Sequence, residues 1–197
     1  MNKSKNIGLY FGTYNPIHIG HLIIANHLVE FTELDEVWLV ITPQNPFKKN
    51  KKLLADYHRY QMVEMALEDY DHLHPSRIEF DMPQPNYTSK TLIRLEEKYK
   101  DIRFNLIIGE DNLINFKKWK NSDFILDHYN LYVCPRESKS EAPKDLSKHQ
   151  HIIWTKTPIM EISSTYVRGI VKDGKNYKPL VPKKVWNFID EMNFYKI

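Results

Sequence analysis

Short apolar runs alternate with longer amphipathic segments along most of the chain. The period of the amphipathic segments predicts helices, and the short runs, rich in β-branched and aromatic residues, predict buried strands. Strands are expected at residues 7–11, 36–41, 78–80, 104–108, 131–133 and 151–154. Helices are expected at residues 20–31, 56–67, 88–99, 164–172 and 182–192. Alternation of this kind implies right-handed crossovers between parallel strands.

The predicted fold is therefore a Rossmann-like, doubly wound α/β domain, with a mainly parallel sheet and helices on both faces. It should span residues 1–197 as a single domain, with the last helices, from about residue 163 to 197, packing as a C-terminal helical subdomain. The polar stretch at residues 135–149 is expected to form a mobile loop. Sheets of this class bind ligands beyond the carboxyl ends of their strands.

Composition narrows the classes of protein that fit. Of the 197 residues, 42% are hydrophobic and 27% are charged, which is ordinary for a globular domain. A net charge of +3 suits phosphate ligands but is weak for a nucleic-acid binder. A single cysteine, Cys134, excludes a disulfide framework and is expected to be a buried apolar residue. No apolar run is long enough to span a bilayer, so a cytoplasmic location without membrane or nucleic-acid partners is expected.

The turn after the first predicted strand carries two histidines. Gly12 permits a tight turn, and His18 and His21, three residues apart at a helix start, share one face. Gly20 between them lacks a side chain, which would let a phosphate approach the helix. Free N–H groups and two imidazoles together predict a polyphosphate cradle. A cap or surface role is the simpler alternative, and zinc binding would need a third ligand that this segment does not offer.

A second candidate anion site opens the helix at residues 164–172. Ser163 or Ser164 is suited to cap this helix, and Ser164 and Arg168 share a face at its start. Hydroxyls, free amides and a guanidinium favour an anion. Taken alone, plain capping with an exposed arginine explains the same residues.

Both segments resemble the hallmarks of one superfamily. GTYNPIHIGHL is similar to the signature of the HxGH nucleotidyltransferases, and ISSTYVR is similar to their second phosphate-binding segment. Phe11 stands where a second glycine is common. The resemblance implies that ATP phosphates contact the catalytic residues His18, His21 and Arg168, and that ATP also meets Gly12, Thr13, Gly20, Ile162, Ser163, Ser164 and Thr165.

Three middle segments, NYTSKTL, GEDNL and FKKWK, resemble those of bacterial nicotinate mononucleotide adenylyltransferases. A flat ring at Trp119 suits a pyridine, Asp111 suits ribose hydroxyls, and Thr88 offers backbone groups. Their ordinary alternatives are a core tryptophan and two helix caps. Residues 43–48 resemble the family's loop ending in P-H-K, with Phe47 in place of histidine. The expected mononucleotide site comprises Tyr14, Asn15, Lys48, Thr88, Gly109, Asp111, Trp119 and Lys120.

The resemblance implies adenylyl transfer from ATP to nicotinate mononucleotide, yielding deamido-NAD and pyrophosphate. Mg²⁺ is expected to arrive with ATP, without a metal cage in the protein. Alternatives are transfer to nicotinamide mononucleotide, phosphopantetheine or a flavin, a non-catalytic nucleotide sensor, and an RNA-binding module, which the weak net charge disfavours. The sequence leaves open whether the chain forms a homo-oligomer.

Overall fold

The computed structural model describes residues 4–43, 53–137 and 142–196. These residues form a six-stranded sheet in the order β3-β2-β1-β4-β5-β6, with every neighbouring pair parallel. The strands are β1 Lys5–Gly12, β2 Glu36–Ile41, β3 Leu73–Ser76, β4 Ile102–Gly109, β5 Leu131–Cys134 and β6 Ile152–Trp154. This confirms the predicted Rossmann-like parallel sheet.

Eight α-helices accompany the sheet in the described ranges. They are α1 Ile19–Phe31, α2 Asp56–Leu67, α3 Thr88–Lys98, α4 Glu110–Ile114, α5 Ser122–His128, α6 Lys144–Ser147, α7 Ser164–Lys172 and α8 Lys183–Glu191. Two 3₁₀ turns lie at Phe116–Lys118 and Lys178–Leu180. In this part of the chain, no helix has the length and apolar character needed to cross a membrane.

The hydrophobic core is divided by the sheet into two layers. Neighbouring residues of one strand contribute to different layers: Leu39 faces one and Val40 the other, as do Ile107 and Ile108. One layer contains apolar residues of α1, α2, α7 and α8, and the other contains those of α3 and α5. Helices therefore cover both faces, as predicted for a doubly wound sheet whose strands are apolar on both sides.

Most predicted elements match the structure to within a few residues, but the strand expected at residues 78–80 is wrong. The third strand is Leu73–Ser76, which pairs with β2, and the Phe80 amide instead donates to the Arg77 carbonyl in a turn. Pro75 made this strand hard to predict, because proline is rare inside strands. It is tolerated at the edge of a sheet, where β3 lies.

The stretch at residues 135–149, predicted to be a mobile loop, contains the short helix α6, anchored by buried Leu146. Cys134 is free and buried, as expected. Helices α7 and α8 place Val167, Val185 and Ile189 in the same layer as α1 and α2. A C-terminal helical subdomain from about residue 163 stays a prediction.

Candidate active site

A cleft of about 1030 Å³ opens at the carboxyl ends of the central strands. Its lining includes Gly12 at the end of β1, Thr42 after β2, Gly109 at the end of β4 and Arg136 after β5. Strands β1 and β4 are neighbours although two strands, β2 and β3, lie between them in sequence, so the chain connections on either side run in opposite directions. Ligands of doubly wound sheets bind at such a switch point.

The two histidines of the first turn stack against each other at the wall of this cleft. The centroids of the His18 and His21 rings lie 3.7 Å apart, with 29° between the ring planes. The His18 backbone N–H donates to Nδ1 of His21 at 3.2 Å. Because that nitrogen accepts, the proton of a neutral His21 ring must be on Nε2. The His21 side chain is thereby oriented as a hydrogen-bond donor through Nε2.

Both imidazoles are held neutral near pH 7. Burial, together with the smaller effect of the Arg136 guanidinium, lowers the pKa of His18 from 6.5 to about 4. The pKa of His21 is also well below its usual value. Burial is the main cause, and the neighbouring His18 and Arg136 lower this pKa further. Neutral rings can stack closely without charge repulsion, and each still carries one N–H donor for an anion.

The depressed pKa of His18 predicts a loss of stability in acid. A folded-state pKa below the unfolded value means that the unfolded chain binds more protons, so stability falls as pH drops from 6.5 towards 4. Between pH 7 and pH 4.5 this group should cost roughly 2–3 kcal/mol. Urea denaturation of the unchanged chain and of His18→Gln across this range measures it. The variant should lose less stability in acid, and parallel pH curves would contradict the assignment.

The start of α7 is bonded directly to the histidine turn. Ser163 caps this helix by accepting from the Tyr166 amide at 3.1 Å, as the sequence predicted. The Ser164 hydroxyl donates to the Pro16 carbonyl at 2.8 Å, and the Arg168 guanidinium donates to the Asn15 carbonyl at 2.7 Å. Two helix N-termini, those of α1 and α7, are therefore fixed at one end of the cleft.

The other end of the cleft combines a carboxylate with aromatic rings. A Cβ atom at Gly109 would overlap Oδ1 of Asp111, so the glycine leaves room for the carboxylate in its present position. The Trp119 ring lines the cleft and packs against buried Phe116, with centroids 5.4 Å apart. Facing residues include Thr88, the first residue of α3.

The structure brings most of the predicted site residues together. Those that line the cleft are Gly12, Thr13, Tyr14, His18, His21, Thr88, Gly109, Asp111, Trp119, Lys120, Ile162, Ser163, Ser164, Thr165 and Arg168. The segments from which they come are far apart in sequence, so their convergence is a property of the fold.

Two predicted site residues, Asn15 and Gly20, are placed differently from the prediction. A third, Lys48, lies outside the described residues, as does Phe47. Asn15 is buried away from the cleft lining, where its side-chain oxygen accepts from the Leu54 amide and the Tyr195 hydroxyl. A Cβ atom at Gly20 would lie 3.1 Å from the His18 ring, so this glycine makes room for the histidine stack.

Arg136 is a cleft residue that sequence reasoning missed. It follows β5 inside the stretch that was expected to be a loop, and its guanidinium donates to the Met160 carbonyl at 2.9 Å. The only available signal was its position just beyond a strand end, where ligands of this fold class bind. Across the described ranges, no three His, Cys, Asp or Glu side chains are grouped closely enough to hold a metal ion.

Comparison with known proteins agrees with this geometry. Residues 9–170 match the family described as cytidylyltransferase-like. A probable nicotinate-nucleotide adenylyltransferase of Flavobacterium johnsoniae is 55% identical over 96% of this chain and 98% of its own length. One from Christiangramia forsetii is 52% identical over 98% of this chain and its full length. The chain belongs to the nicotinate-nucleotide adenylyltransferase family.

A solved structure shares the fold of this chain. The nicotinic acid mononucleotide adenylyltransferase of Plasmodium falciparum, complexed with NaAD, superimposes with a TM-score of 0.82 over 97% of both chains. The sequences are only 18% identical, so this likeness speaks for the fold alone. The family membership itself rests on the relatives that match at half of all positions.

Proposed function

We propose that the chain transfers the adenylyl group of ATP to nicotinate mononucleotide, giving deamido-NAD and pyrophosphate. The observation that carries this proposal is the bonding of α7 to the histidine turn. The contacts from Ser164 to Pro16 and from Arg168 to Asn15 put two anion-binding helix starts at one end of the cleft. An aromatic, carboxylate-bearing pocket lies at the other end, which suits two nucleotides placed phosphate to phosphate.

In this proposal the triphosphate of ATP lies between the starts of α1 and α7. His18 and His21 donate to its oxygens through ring N–H groups, and Arg168 supplies a full positive charge. The residues Gly12, Thr13, Ile162, Ser163, Ser164 and Thr165 provide the surrounding backbone and hydroxyl contacts. Arg136 adds a second guanidinium near the histidines, and its positive charge contributes to the lowered pKa of both rings.

The mononucleotide occupies the opposite end. Its pyridinium ring stacks on Trp119, an arrangement favoured for a cation against an indole face. Asp111 accepts hydrogen bonds from a ribose, and the first amides of α3, beginning at Thr88, meet the ring substituent. Tyr14 and Gly109 complete the floor, and Lys120 lies at the rim.

The reaction is an in-line attack of the mononucleotide 5′-phosphate on the α-phosphorus of ATP. The bond from that phosphorus to the β-phosphate bridging oxygen breaks, and pyrophosphate leaves with the electron pair. The nucleophile is already an anion, so no general base is required. Catalysis then consists of positioning two anions and stabilising the charge that develops on the leaving group, which is the work of His18, His21 and the two arginines.

Mg²⁺ enters this proposal as part of the ATP substrate. Carboxylates on the cleft wall are few: Asp56 is paired with Arg59, Glu79 is buried, and Asp111 is placed for a ribose. A hard cation that keeps most of its waters and phosphate ligands fits such a sparse set. The proposal includes a cytoplasmic location, with which the free thiol of Cys134 is compatible.

The products of the reaction show whether the mononucleotide attacks the α-phosphorus or the β-phosphorus of ATP. Incubation with Mg·ATP and nicotinate mononucleotide should give dinucleotide and pyrophosphate in equal amounts, identified by anion-exchange chromatography and mass spectrometry. Attack at the β-phosphorus would release AMP instead. AMP as the nucleotide product, or no product at all, would contradict the proposed adenylyl transfer.

A further inference from the structure

One lysine at the mononucleotide end of the cleft has a position that bears on substrate choice. Lys120 directly follows Trp119, and its Nζ atom lies 4.5 Å from the centroid of the Tyr87 ring. Both residues line the cleft, together with Thr88. The ammonium group is therefore held over an aromatic face beside the proposed pyridine platform, an arrangement that cation–π attraction stabilises.

Within the described part of the chain, the positive charge of Lys120 is not neutralised by an ion pair, although the same cleft also contains the carboxylate of Asp111. Among the residues that the structure describes, Lys120 has no carboxylate within 4 Å, whereas the nearby Lys117 pairs with Asp145. Glu79, a carboxylate of the cleft lining, is buried and accepts from the Thr91 hydroxyl at 2.7 Å. Burial raises the pKa of Glu79, and the hydrogen bond from Thr91 opposes this shift.

The first turn of α3 adds to the same field. Tyr87 is the N-cap residue, and its side chain makes no capping hydrogen bond. The helix begins at Thr88, which lines the cleft. The helix dipole places partial positive charge at this end. A lysine ammonium and a helix start thus converge on the space beside Trp119.

The two pyridine mononucleotides differ only at the ring substituent. One carries a carboxylate and the other a carboxamide, while the ring bears a positive charge in both. Any repulsion between Lys120 and the ring is therefore the same for both, and it cancels when the two are compared. Only the attraction between ammonium and carboxylate remains, and the carboxamide cannot share it.

We infer that the Lys120 ammonium is a determinant of selectivity for the acid over the amide mononucleotide. This inference rests on the proposed function and adds the atom that distinguishes the two substrates. Lys120 is exposed, so water and salt weaken its pull, and a moderate effect follows. Selectivity is the ratio of kcat/KM for the acid to kcat/KM for the amide.

The test compares this ratio in the unchanged chain, Lys120→Met and Lys120→Arg. Methionine keeps the length and removes the charge, so the ratio should fall about tenfold, mainly through a higher KM for the acid. Arginine keeps the charge and should restore most of the ratio. Raising the salt concentration should lower the ratio of the unchanged chain and leave that of Lys120→Met nearly constant.

Lys117→Met is the matched control, because its ammonium is paired with Asp145 and lies outside the cleft lining. Its ratio should equal that of the unchanged chain. An unaltered ratio in Lys120→Met, or an equal fall in Lys117→Met, would overturn the inferred role of Lys120. Neither result would affect the proposed function. Absence of turnover by the unchanged chain with both mononucleotides would overturn the proposed function and this inference with it.

Discussion

Replacing His21 with alanine should lower kcat for dinucleotide formation by about 10²–10³-fold, the usual cost of removing one donor to a developing oxyanion. The His21 ring is oriented by the His18 amide, which donates to its Nδ1 atom at 3.2 Å. The Nε2–H group of His21 is therefore already oriented as a donor before substrate binds. His18→Ala should have an effect of similar size, since the two rings are stacked and are proposed to contact the same phosphates.

Steady-state kinetics with Mg·ATP and nicotinate mononucleotide measure this effect. The loss should appear in kcat more than in either KM, because the charge that these donors stabilise develops in the transition state. His27→Ala is the matched control: this histidine lies further along α1 and stacks on exposed Phe31, away from the cleft. Its kcat should stay within a factor of two or three of the unchanged value. Near-normal turnover in both His18→Ala and His21→Ala would refute their assigned role.

Arg59→Met should destabilise the fold by about 3–5 kcal/mol, as expected when a buried, paired charge is removed. The Arg59 side chain is completely buried and donates to the carbonyls of Leu54, Thr13, Thr42 and Pro43. Its second partner group is the carboxylate of Asp56. These bonds tie the segment after β1 to the segment after β2, so methionine leaves several buried acceptors without a donor.

Urea denaturation, followed by far-UV circular dichroism, measures the free energy of unfolding. Arg94→Met provides the control, because this arginine is exposed and lies 3.9 Å from Glu97, a contact of small expected value. It should change the unfolding free energy by less than about 0.5 kcal/mol. A loss below about 1 kcal/mol in Arg59→Met would show that the buried network does not hold the two segments together.

The frame of the fold could be predicted because local pattern and global architecture agree. Apart from Glu36 at its start, strand β2 is apolar, and it is buried on both faces, as expected for a parallel strand inside the sheet. The bounds predicted for β2, α2 and α7 coincide with those observed. The cleft could be predicted as well, because turn residues after parallel strands meet at one edge of the sheet.

What could not be predicted depends on tertiary contacts. Strand β3 has weak intrinsic preference and forms because β2 offers an edge for it to pair with. Arg59 resembled any polar residue on an amphipathic helix, and only the folded chain surrounds it with carbonyl groups. Arg136 lay in a polar stretch without periodicity, although its backbone follows a strand that ends at the cleft. Pattern alone does not reveal which polar residues the fold turns inward.

The central claim is that this chain joins ATP to a pyridine mononucleotide and prefers the acid. The most direct measurement is the initial rate of pyrophosphate release with Mg·ATP and either nicotinate or nicotinamide mononucleotide, under otherwise identical conditions. The account predicts release with both acceptors in strict dependence on the mononucleotide, and kcat/KM at least tenfold higher for the acid. Release that is equal or greater with the amide would contradict the acid preference, and no release with either acceptor would contradict the account as a whole.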